Sequence, residues 1–158
     1  MLDAQPESLE NKKKQLKAHL MMITPFMYLS YPEGSLEILQ NGEKLAQELG
    51  VEESLVKIQG SLSLYYSTAG NPSLGLEYAE KCFNSAEKIE DFGLMAQSAH
   101  ELCVANWVTS DLTKIVDIGG KAIHLLEEHH LEKDFFGMGL SVYSAICSYY
   151  GVYLGWMG

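Results

Sequence analysis

Three histidines and four acids crowd into one stretch, "HLLEEHHLEKD" at 124–134. His124 and Glu128 lie four apart, so on a helix they share a face and could form one edge of a metal site. A zinc site takes three or four ligands, and no second histidine or cysteine cluster stands elsewhere in the chain, so no metal is expected. His129 and His130 read instead as a solvated helix end near the negative pole of the helix dipole. His100 and Cys103, three apart, have the residue types of a nucleophile and its base. No orienting third group or anion-stabilising loop accompanies them, and His100 and Glu101 are adjacent rather than facing, so a partly buried histidine and a core cysteine are expected. "GGKA" at 119–122 resembles a phosphate loop but has Ile115 where a further glycine belongs and Ala122 where Ser or Thr belongs. It also falls inside a helical pattern, where Gly119 and Gly120 would serve close helix packing. "FGMGLS" at 136–141 holds a lone Gly-x-Gly with no strand before it, and the acids are scattered along helices as solvated faces. No catalytic residue, metal or cofactor is expected, and the chain reads as a non-enzyme.

The elements that would position any site are helical. Hydrophobic residues make up 47 % of the 158, only 4 prolines are present, and no segment alternates with period two for long. Ser8 can cap a helix running to about Leu29, with Pro25 a point of kinking, and "YPEGS" turns the chain at 31–35. A helix follows with Leu36, Leu39, Leu45 and Leu49 on one side, and Gly50 stops it. The next runs from Glu52 or Glu53 to Ala69, turns at Gly70-Asn71, and gives way to a helix with Pro72 in its first turn, ending near Ile89. Further helices are expected over Gly93–Thr109, Leu112–His129 and Lys133–Leu154, with Ser110-Asp111 turning and capping between the first two. The total is about seven.

The net charge is −10, and all 11 basic residues are lysines. Such a surface repels phosphate backbones and anionic lipid, so neither nucleic acid nor membrane is expected as a partner, and bidentate guanidinium recognition is absent. Cys82, Cys103 and Cys147 are odd in number, far apart and set among apolar residues, as small buried hydrophobes in a reducing compartment would be. The lysines at 12–14 precede the apolar run 20–29, but Lys17, His19 and Pro25 interrupt it and no cleavage site follows. The run is also too short to span a bilayer, so a cytoplasmic location is expected.

The helices correspond in pairs. "NGEKLA" at 41–46, "YAEKCF" at 78–83 and "IGGKAI" at 118–123 place Lys44, Lys81 and Lys121 alike, and the turns Glu33-Gly34, Gly70-Asn71 and Ser110-Asp111 keep the same offsets. Gly155-Trp156 would be the fourth turn. One helical hairpin cannot bury its apolar face alone, whereas stacked hairpins cover one another. The stretch 56–89 resembles a tetratricopeptide repeat at Leu62, Tyr66, Gly70-Asn71 and Cys82, and departs from it at Gln59, Ser63, Gly75, Ala79 and Glu87. More broadly, "PESLENKKKQLKAHLMM", "EKLAQELGVEESL" and "SYYGVYLGWMG" resemble the degenerate repeat region of bacterial signalling proteins. Those proteins join a nucleotide cyclase or other output module, an AAA/STAND-type ATPase and a repeat tail.

The resemblance implies an all-α fold, a right-handed superhelix of antiparallel helix hairpins, forming a single domain over 1–158. It implies a protein–protein interaction or regulatory module that binds a peptide, a partner protein or other domains of a longer parent chain on its concave face. Aligning the turns puts Met27, Tyr31, Lys57, Leu64, Ser67, Gln97, His100, Trp107, Tyr149 and Tyr153 in that groove. Its aromatics and methionine suit peptide contact. The alternative is a helical small-molecule-binding or enzymatic domain with a pocket near Trp107 and His100. Residues 1–7 look like the tail of an earlier unit, and the last helix is expected to be frayed or covered by another copy of the chain.

Overall fold

A computed structural model describes residues 8–157. Among them are seven α-helices and no strand: α1 Leu9–Tyr28, α2 Ser35–Leu49, α3 Glu52–Thr68, α4 Pro72–Ile89, α5 Phe92–Val108, α6 Leu112–Glu128 and α7 Val142–Met157. The helix starts follow from local capping. The side chains of Ser8, Asn71, Asp91 and Asp111 each accept a hydrogen bond from the backbone N–H three residues on, satisfying a donor the helix cannot pair. Pro72 sits at the start of α4, where its missing N–H is harmless. The turns expected at Gly50 and Gly70 are also seen, both residues adopting the left-handed conformation (φ 64° and 86°).

Consecutive helices pack together, and each odd-numbered helix also touches the next odd-numbered one; α2, α4 and α6 do not touch each other. Joined by short turns, these pairs are stacked hairpins. Inner elements in contact and outer elements fanned apart make a stack that curves toward α1, α3 and α5. The core follows the stack as successive clusters, from Leu16, Leu39 and Ile58 at one end to Cys103, Ile115 and Tyr153 at the other.

The period is forty residues. Ser30, Gly70 and Ser110 are all left-handed residues that end inner helices; Gly50, Glu90 and His130 are their counterparts after outer helices. The N–H groups of Tyr31, Asn71 and Asp111 close back on the carbonyls of Phe26, Tyr66 and Asn106 at 2.8–2.9 Å. The expected equivalence of Glu33-Gly34 with Gly70-Asn71 is therefore shifted: Ser30-Tyr31 is the true counterpart, and Asn41, not Lys44, answers to Lys81. Glycine at 34 misled because it also turns the chain (φ 86°), just before α2.

Two further expectations are corrected. The last helix begins at Val142, not near Lys133. The Asp134 carboxylate accepts the Phe136 N–H at 2.9 Å, and Phe136 and Gly137 are both left-handed (φ 48° and 76°), so the chain cannot coil there. Compared with α5, capped at Asp91, the helix capped at Ser141 starts ten residues late for a strict repeat. Gly155 and Trp156 lie inside α7 rather than at a turn, and its outward Val152, Leu154 and Trp156 are exposed. The reading of residues 1–7 falls outside the described residues.

Candidate functional site

The forty-residue register puts equivalent positions of α1, α3 and α5 side by side on the concave face. Lys17, Lys57 and Gln97 form one row; Met21, Ser61 and Glu101 form the next; Thr24 and Leu64 share a third. Spacings of four and three residues keep these rows on one face of each helix. They line a cavity of about 350 Å³. The ten extra residues between α6 and α7 close one side of it, with Phe136, Gly137 and Met138 in its wall.

This closing segment is tied to α5. Gln97 Nε2 donates to the Phe136 carbonyl at 3.2 Å, and the Phe136 ring lies against Gly93. A Cβ at Gly93 would come within 2.8 Å of that ring, so the bare backbone at the start of α5 makes its seat. Gly139 serves similarly on the far side, where a Cβ would overlap the Tyr28 hydroxyl.

The floor of the cavity is polar. Glu101 is 6 % exposed, its Oε2 has no hydrogen-bond partner, and its Oε1 stands 3.7 Å from His100 Nδ1, too far for a hydrogen bond. The Tyr31 hydroxyl and the Ser61 hydroxyl are likewise buried without partners. Burial, partly offset by the neighbouring Ser61 hydroxyl and then added to by the Glu101 charge, pushes the Tyr31 hydroxyl up to about 12. Burial followed by the same charge raises the Cys82 thiol; Tyr149 is raised by burial first and then by neighbours including Glu101. One buried carboxylate thus acts on groups from the α1–α2 turn, α4 and α7.

Of the residues expected in the groove, Met27, Tyr31, Lys57, Leu64 and Gln97 line this cavity together. The others are elsewhere. Ser67 is buried where α3 meets Gly75 of α4. His100 packs on Tyr149 at 6.0 Å between ring centroids, and Trp107, half exposed, packs on the same tyrosine at 5.3 Å. Tyr153 is 3 % exposed in the core with Cys103 and Ile115, because α7 begins late and presents this position inward. Glu101, Ser61, Met21, Thr24 and the segment 136–138 are not among the residues expected in the groove. The signal that finds the first four is the forty-residue register; nothing local marks the last.

The constellations weighed for chemistry are dispersed. His124 Nδ1 and Glu128 Oε2 approach to 3.6 Å on an exposed face, and among the described residues no three metal-ligating side chains gather. Burial pushes the Cys103 thiol up to about 12, which keeps it a thiol at neutral pH. The adjacent His100 and Glu101 do approach each other, contrary to the expectation from their order in the chain. Gly119 and Gly120 face the Tyr150 ring as packing glycines, Cys82 is buried, and Cys147 is only half-buried. Among the described residues no helix is long and apolar enough to cross a membrane. No family model matches the chain, and no curated protein matches it.

Proposed function

We propose that this chain is a non-catalytic interaction module that holds a peptide segment of a partner, or of its own longer parent, in the cavity between α1, α3 and α5. The carrying observation is the convergence of equivalent positions from three successive units on one half-open, mixed apolar and polar cavity. Repeat stacks present extended ligands with such a row of equivalent sites. Met21, Met27 and Met138 give it adaptable apolar walls, and about 350 Å³ suits one or two side chains and the backbone between them. The tetratricopeptide-like pattern and its likeness to bacterial signalling proteins fit a cytoplasmic regulatory role, with the stack winding as a right-handed superhelix.

The test is selection of a displayed random decapeptide library against the 158-residue chain, followed by titration of synthetic binders. Binders that weaken at least tenfold on Thr24→Trp, which fills the cavity from an exposed position on α1, support the reading. Recovery of no binder sensitive to that substitution would overturn it.

A further inference from the structure

The cavity floor carries a chemical demand that the chain itself does not meet. A buried carboxylate is costly unless it is paired, and removing an ion from water is repaid only by a nearby opposite charge with good hydrogen bonds. Around Glu101 the candidates for that role are few. Lys57 is drawn away to Glu53 at 2.6 Å. Lys17 stands exposed one turn from Met21, the residue that answers to Glu101 in α1. His100 stops at 3.7 Å, and the guanidinium alternative does not exist in a chain without arginine.

Three acceptors therefore wait in one cavity: Glu101 Oε2, Ser61 Oγ and Tyr31 Oη. An ammonium group has three N–H donors and no acceptor. It also carries the positive charge needed opposite Glu101, and a net charge of −10 draws cationic segments toward the surface. The walls above the floor are apolar at Leu20, Ile23, Leu64 and Met138, matching the four-carbon stem of a lysine.

We propose that the cavity takes a lysine side chain of the bound peptide, stem along the apolar walls and ammonium on Glu101, Ser61 and Tyr31. This rests on the peptide-binding reading above and names the anchor that reading leaves open. The repeat register explains why the anchor belongs to α5: position 101 bears an acid, whereas its counterparts at 61 and 21 bear a serine and a methionine.

The experiment uses the peptides selected on the whole chain. Binders should share a lysine at one fixed position. Replacing that lysine by norleucine, which keeps the stem and removes the charge, should weaken binding at least thirtyfold by isothermal titration. Glu101→Gln should weaken the lysine peptide at least tenfold, and should add little further loss to the norleucine peptide. Folding of the variant is checked by its thermal melt; were it not to fold, the norleucine exchange on the unaltered protein still decides, with Ser61→Ala as the second variant. Cavity binders with no fixed lysine, with a fixed acid facing Lys17 and Lys57, or indifferent to Glu101→Gln would overturn this inference and leave the peptide-binding reading standing. Absence of any binder sensitive to Thr24→Trp would overturn both.

Discussion

The outer helices α2, α4 and α6 and the inner helices α3 and α5 have similar lengths and one common period, yet they are built differently. Each outer helix buries a narrow stripe at repeating positions: Ser35, Leu39, Gly42 and Ala46 in α2; Gly75, Ala79, Cys82 and Ala86 in α4; Ile115, Gly119, Ala122 and Leu126 in α6. The rest of each faces water. The inner helices are enclosed on most sides, and their buried sets include Gln59, Ser61, Ser63, Ser98, His100, Glu101 and Asn106. Stability is concentrated in the outer stripes and their inner partners, while polar groups with unmet hydrogen-bonding capacity are concentrated inside. Polar atoms that cost folding free energy are the ones available to a ligand.

That contrast can be broken by substitution. The largest effect is expected at Ile115, fully buried on α6: Ile115→Ala should cost about 3 kcal/mol, roughly 6–12 °C in Tm, by denaturant and thermal unfolding. Glu101→Gln, at a buried inner position, should leave stability unchanged or raised, because it removes a buried charge whose nearest basic group, His100, stands 3.7 Å away. A large loss from Glu101→Gln would mean that the carboxylate stabilises the fold, and the contrast between layers would fail.

Next in size is Gly75→Ala. A Cβ there would stand 2.9 Å from the Ser67 N and 3.0 Å from the Ser63 carbonyl, both backbone atoms that cannot swing away. A loss of about 1–3 kcal/mol in a urea titration is expected. Gly42, on the α2 stripe at the position Cys82 takes in α4, would place the Cβ 3.1 Å from the His19 Cβ and 3.2 Å from the tip of Ile58. The Ile58 tip can swing, and the His19 Cβ, though fixed by its backbone, need yield only a few tenths of an ångström, so Gly42→Ala should cost less than Gly75→Ala, about 1 kcal/mol, aided by alanine's better helix propensity. Equal losses at both sites would show that the α3–α4 approach is not specially close.

Gly93→Ala tests the segment that closes the cavity. Displacing the Phe136 ring should cost about 1 kcal/mol or less, and should speed amide exchange at 135–138 about tenfold while α2 and α4 stay protected. The smallest effect is expected at Glu90, which holds the left-handed conformation (φ 57°) that Gly50 occupies in the preceding unit. Glu90→Gly should raise stability by about 0.5 kcal/mol, the relief of backbone strain being partly offset by a freer unfolded chain.

What the sequence determined by itself is local. Caps at Ser8 and Asp111, Pro72 at a helix start, and the stop at Gly50 depend on contacts within a few residues, so they could be read directly, as could the all-helical fold and its pairing. Half of the expected groove was also legible, because Lys57, Leu64 and Gln97 recur at helical spacing on inner helices. Tertiary structure decided the rest. Burial of Glu101 depends on α1, α3 and the 136–138 segment arriving from 35 to 84 residues away, and no periodicity within α5 announces it. The late start of α7, the inward turn of Tyr153 and the seat of Phe136 on Gly93 likewise rest on contacts between distant residues. Local hydrogen bonding selects a helix whatever surrounds it, whereas burial of a charge is set only by what packs around it.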